Sequence, residues 1–141
     1  DQDYVDINEE IDFIKGYFEL EQKKFPAAHI SFKVNGISNN IKIPPLLFLP
    51  LIENSFKHGR HKLTDYAAVN ARLTIYDDHI EFIISNDILP KIVLINEEKK
   101  GGIGLVNLHK RLNLYYNSHR HQMTVSHNEQ TYSTTLILKH R

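Results

Sequence analysis

The sequence has no cysteine, which excludes disulfides and cysteine-based zinc sites and fits a reducing compartment. It has no excess of either charge. Lys plus Arg number 17 and Asp plus Glu number 17, so no bulk attraction draws it to nucleic acid or to an anionic membrane, and any anion it binds must be bound locally. No apolar run approaches the roughly 18 to 20 residues of a membrane span. The opening, Asp1 to Glu10, has neither the basic start nor the apolar core of a signal peptide, and no initiator Met. The expectation is a soluble piece of something longer, with no membrane contact of its own. Repeats and low-complexity tracts are also missing. At 141 residues the chain suffices for one domain that buries roughly two thirds of its unfolded surface without staples.

Asp6 to Phe25 reads as a helix, with Asp6 able to cap, Glu9 and Glu10 near its start and Lys23 and Lys24 near its end. Its apolar residues form two stripes, Ile7, Ile11, Ile14, Phe18 and Phe25 on one side and Phe13, Tyr17 and Leu20 on another. Either the helix packs on two things, its own domain and a partner helix, or it has one wide core face. His29 to Val34 alternates like a strand. Val69 to Tyr76 and Ile80 to Ser85 flank a turn and predict an antiparallel hairpin. Leu105 to Tyr116 is amphipathic, and Gln122 to His127 and Thr131 to His140 read as two further strands. The order α β α β β α β β predicts an α+β fold, a two-layer sandwich of helices on a mixed, mostly antiparallel sheet.

Two windows carry chemistry. In the first, Ile43 to Gly59, Pro44 and Pro45 predict a helix start, because proline is tolerated in a first helical turn. An apolar run follows in which Pro50 is expected to bend the helix. It ends in Glu53, Asn54, Lys57 and His58. Asn54, Lys57 and His58 share one face at helical spacing, with Glu53 at its edge. That face looks either into a polar site or into solvent, where Glu53 and Lys57 would form an i,i+4 ion pair and Gly59 would stop the helix. In the second window, Lys99 to Leu112, Gly101, Gly102 and Gly104 lead into a helix N-terminus, where free N–H groups suit phosphate. It is neither a Walker loop nor a Rossmann fingerprint. His119 and His121 alternate onto one strand face and His58 and His61 lie close, but no third ligand of suitable spacing completes a zinc site.

Together, "PLIENSFKHG", "IISND" and "GGIGLVNLHKRLNLYY" resemble the N, G1 and G2 boxes of the ATP-binding domain shared by sensor histidine kinases, gyrase, Hsp90 and MutL. The resemblance runs from about Val5 to Leu138 and is greatest to the LytS-type sensor histidine kinases. It implies the Bergerat ATP-binding fold over residues 27–141, with residues 1–26 a linker helix from a missing dimerisation and phosphoacceptor region. ATP and Mg2+ are the implied cofactors. By resemblance, Asn54 ligates the magnesium, Glu53 polarises the attacking group or organises metal-bound water, and Lys57 and His58 lie near the phosphates. The backbone from Gly101 through Gly102, Ile103 and Gly104 to Leu105 holds phosphate, and Asn107 faces the nucleotide, whereas Arg111 reads equally well as a surface residue.

Two positions depart from the family pattern. The adenine-reading aspartate falls on Asn86, an acceptor without charge that shares the task with Asp87, and Lys100 stands where a glycine usually opens the G2 box. The family's phosphoacceptor segment does not occur here. The implied whole is a homodimeric histidine kinase joined through upstream helices, serving a response regulator of LytTR type, with this part cytoplasmic and the full chain anchored in the inner membrane. The alternatives are a degenerate, non-catalytic dimerisation or signal-relay module of the same fold, and an ATPase of the superfamily without histidine transfer.

Overall fold

A computed structural model describes residues 4–38, 40–89 and 102–140, without the side chains of 102–104. Its large sheet has five strands in the order β2-β4-β5-β7-β6: β2 (His29–Asn35), β4 (Ala68–Ile75), β5 (His79–Asp87), β7 (Thr131–Lys139) and β6 (His121–His127). Only β2 and β4 pair in parallel, and the other three ladders are antiparallel. One face of the sheet is apolar because alternate residues point to it. Val69, Ala71 and Leu73 of β4, Ile80, Phe82 and Ile84 of β5, and Leu136 and Leu138 of β7 are all buried. Three helices cover that face, α1 (Ile7–Lys24), α2 (Leu49–His58) and α3 (Gly102–Tyr115), and their inner residues join the same core. The expected two-layer α+β sandwich is what forms.

α1 starts where the sequence indicates, with the Asp6 carboxylate accepting the Asn8 N–H at 2.8 Å. Ile7, Ile11, Ile14 and Phe18 are buried, whereas Phe13 and Leu20 are exposed. The boundary expected between residues 26 and 27 lies in the loop after α1, and the inner face of α1 joins the same core as the sheet. A short ladder that the sequence did not suggest ties down the start of this helix: β1 (Val5–Asp6) pairs antiparallel with β3 (Lys42–Ile43).

The second helix differs from its expected form. It begins at Leu49, not at Pro44, and Pro50 sits in its first turn, where a missing N–H is harmless. Pro44 to Phe48 instead form an irregular turn in which Leu46 has φ 57°, a left-handed conformation costing a non-glycine residue on the order of 1 to 3 kcal/mol. Two side chains distant in sequence hold it. The Leu46 N–H donates to Glu10 Oε1 at 2.7 Å, and Arg111 of α3 donates to the Pro45 carbonyl at 2.8 Å and to the Leu46 carbonyl at 3.4 Å. α3 also differs, starting at Gly102 and so taking two glycines into its first turn.

Burial pushes the Glu10 carboxyl above the usual glutamate value, against the opposing pull of the Leu46 and Leu47 N–H groups and Arg111. A raised carboxyl pKa means that ionisation is harder in the folded than in the unfolded state, so stability falls as pH rises through the raised value. Glu10→Gln keeps an acceptor for Leu46 without the charge. Denaturant titrations of the two proteins should show the wild type losing stability relative to Glu10→Gln as pH rises from below 4.5; parallel pH profiles would contradict this.

Candidate functional site

α2 packs against β5 and α3, with Phe48 stacked on Phe82 at 4.7 Å between ring centroids. Leu51, Ile52, Ser55 and Phe56 face the core, which turns the opposite side of the last two turns outward. Asn54 and His58, one turn apart, are half-buried, and Glu53 and Lys57 are exposed. The i,i+4 ion pair between Glu53 and Lys57 does not form. The end of α2 is fixed by space. Gly59 has φ −73° and no need of the left-handed region, but a Cβ there would lie 2.4 Å from His61 Nδ1. The His61 ring is buried edge-on to Phe25 and Phe56, at 4.7 and 5.5 Å between centroids, and burial holds its pKa below the ordinary histidine value.

Asn86 lies within β5, not in a turn beyond it. It follows Ile80, Phe82 and Ile84 on the helix-covered face and is only 2% exposed. Its Nδ2 donates to the Asp87 carbonyl at 3.3 Å, while its Oδ1 is buried with no hydrogen-bond partner among the described residues. An orphaned buried acceptor costs roughly 1 to 3 kcal/mol, so a donor arriving there from a ligand would gain a desolvated partner. Asp87 points to the opposite face of the sheet, and its carboxylate accepts the Ala68 N–H at 2.8 Å and lies 3.5 Å from Arg60. The structure turns the two residues expected to share a base to opposite faces: Asn86 is buried under the helices with an unbonded acceptor, and the Asp87 carboxylate is occupied by Ala68 and Arg60.

α3 brings its N-terminal turn to this side, with N–H groups that have no intrahelical partner and no acidic residue within that turn. Gly102, Ile103 and Gly104 lie in that turn. Leu105 turns its side chain onto the core, leaving only its backbone for a ligand, and Asn107 is exposed. Gly101, Lys99 and Lys100 lie outside the described residues. Among the described residues no cluster of three His, Cys, Asp or Glu could hold a metal. His119 lies in the turn before β6 rather than on a strand face with His121.

Sequence reading missed Glu10 and Arg111 as positioning residues, because their contacts lie 36 and 65 residues away along the chain. It also missed that His61 is buried. A valine at Asn86 would remove the orphaned acceptor and suit a strand. Asn86→Val should therefore raise the stability of the free protein by about 1 kcal/mol in thermal or denaturant unfolding, and a loss of stability would show that Oδ1 is satisfied in solution.

No protein-family model matches this chain. It is 29% identical over 120 residues to the sensor protein LytS of Oceanobacillus iheyensis, covering 77% of this chain and 20% of that protein. It is also 29% identical over 127 residues to the sensor histidine kinase YpdA of Escherichia coli, covering 86% and 22%. The chain thus spans about a fifth of the length of the curated relatives it matches. Among solved structures, the catalytic domain of histidine kinase ThkA superposes with a TM-score of 0.61 at 11% identity, over 96% of this chain and 93% of that one. A further ThkA structure is a complex with the response regulator protein TrrA, with a TM-score of 0.60 at 12% identity, over 98% of this chain and 41% of that one. The chain therefore has the fold of histidine kinase catalytic domains, and its sequence is similar to those of the LytS and YpdA sensor proteins.

Proposed function

We propose that this chain is the ATP-binding catalytic domain of a two-component sensor histidine kinase, transferring the γ-phosphoryl of ATP to a histidine on an upstream helix. The observation that carries the proposal is the buried, unpartnered Oδ1 of Asn86, an acceptor suited to the amino group of adenine. In this reading the first turn of α3, from Gly102 to Leu105, receives phosphate on its N–H groups, with Gly101 leading into it. Asn54 offers the one neutral oxygen for Mg2+, whose charge would offset that building on the phosphate oxygens. Lys57 and His58, in the last turn of α2, supply positive charge and donors beside the phosphates, and exposed Glu53 orients the attacking group. The reaction breaks the bond between the γ-phosphorus and its bridging oxygen and forms one to an imidazole nitrogen. Positioning and charge stabilisation supply most of its catalysis.

The rest of the implied protein belongs to the same proposal: a homodimer through upstream helices, a response regulator of LytTR type as partner, and a cytoplasmic placement below an inner-membrane anchor. The ThkA complex with its response regulator supports the choice of partner class, and no described helix is long and apolar enough to cross a membrane. A second reading, a non-catalytic relay module, is favoured by one observation, the absence of charge at Asn86.

Calorimetric titration with ADP, with and without magnesium, separates the two. The kinase reading expects magnesium-dependent binding that Asn54→Ala weakens at least ten-fold, about 1.4 kcal/mol, and that Asn86→Val also weakens. Absence of binding at about 1 mM nucleotide would favour the relay module.

A further inference from the structure

The far end of the molecule carries a second cleft. β5 runs from the hairpin at His79 to Asp87, so its two ends are roughly 25 Å apart, and the cleft lies at the end away from Asn86. It has a volume of about 590 Å³ and opens between the N-terminal segment, the end of α3 and the ends of β4 and β7. Four of the chain's seven tyrosines line it, Tyr4, Tyr76, Tyr115 and Tyr116. Tyr4 and Tyr115 meet edge to face at 5.4 Å.

Cations outnumber carboxylates in this cleft: Lys42, Arg120 and Lys139 line it with exposed Asp77, and Asp78 beside it is within electrostatic reach of Lys139. Neither lysine forms an ion pair with a described residue. Arg120 gives one guanidinium nitrogen to the Lys139 carbonyl at 3.0 Å, leaving further donors in its fork. The negative end of the α3 dipole also points this way, but three full charges outweigh a partial one. Tyr116 is the built element. The residue is only 8% exposed and lines the cleft, and its hydroxyl makes no hydrogen bond to a described residue. Burial, with a smaller contribution from Tyr4 and against the pull of Arg120, pushes the phenol up to about 12, so it stays a donor throughout the neutral range.

We propose that this cleft is a second binding site, for a small aromatic anion whose ring lies against Tyr4 and Tyr115 and whose charged group meets Arg120, Lys139 and the Tyr116 hydroxyl. Aromatic walls alone would take any flat apolar molecule, and the cations alone any anion; their convergence selects a ligand that has both features. Such a ligand would join the segment leading into α1 to the end of α3.

The test is an amide NMR titration of the whole chain with phenyl phosphate, with benzoate, inorganic phosphate and benzyl alcohol as separate arms. Saturable shifts at Tyr4, Tyr115, Arg120 and Lys139 with phenyl phosphate, at least ten-fold weaker with inorganic phosphate and with benzyl alcohol, are expected. Benzoate binding equally would assign the class to aromatic anions generally; benzoate binding weakly would assign it to aromatic phosphates. Tyr116→Phe should weaken binding by about ten-fold, as should Arg120→Gln. Because Arg120 also holds the Lys139 backbone, Lys42→Gln gives an independent exposed variant that should weaken binding several-fold. Shifts that stay linear to about 10 mM phenyl phosphate, shifts that ignore all three substitutions, or equal affinity for benzyl alcohol would overturn the proposal.

Discussion

The turn from Pro44 to Phe48 exists in its strained form because Glu10 and Arg111 close on it from two sides, one taking the Leu46 N–H and the other giving hydrogen bonds to the Pro45 and Leu46 carbonyls. Glu10 stands on α1, Arg111 on α3, and the turn leads straight into α2. Three helices are thereby registered at one point by charge-assisted hydrogen bonds, which hold geometry more tightly than apolar contact does. Every candidate ligand-binding side chain of α2 lies within the next three turns of helix from this point. Glu10 thus ties α1, whose outer residues Phe13 and Leu20 stay exposed, directly to the turn that leads into α2.

The site shows graded burial. Glu53 and Lys57 are in solvent, Asn54 and His58 are half-covered, and Asn86 is sealed under the helices. That ordering suits a ligand that enters with one flat apolar end and keeps its charged end outward. The buried end needs a single acceptor, which Asn86 Oδ1 provides. In the proposed reading the outer end takes its donors and one metal-binding oxygen from α2 and the first turn of α3.

Much of this was legible in the sequence wherever the cause was local. Period-two alternation located β2, β4, β5 and β7 to within two residues, and Asp6 marked the start of α1. The α2 start was misread because two consecutive prolines satisfy the rules for a first helical turn, while the residues that forbid it, Glu10 and Arg111, act from elsewhere in the chain. Strand parity explains the different surroundings of the pair at the end of β5: adjacent residues on a strand face opposite ways, so Asn86 lies under the helices and Asp87 on the other face. His61, in a stretch that reads as a polar loop, is buried because the ends of α1 and α2 bring Phe25 and Phe56 around it.

The central claim is that the orphaned acceptor at the end of β5 and the first turn of α3 together form one nucleotide site. The direct measurement follows the Asn86 side-chain amide and the backbone amides of residues 102–105 by NMR as ADP is added with magnesium. Saturable shifts in both groups with one common affinity, and none of comparable size at Tyr115 and Tyr116, are the result expected. If both groups stay unmoved, or titrate with different affinities, no such site exists.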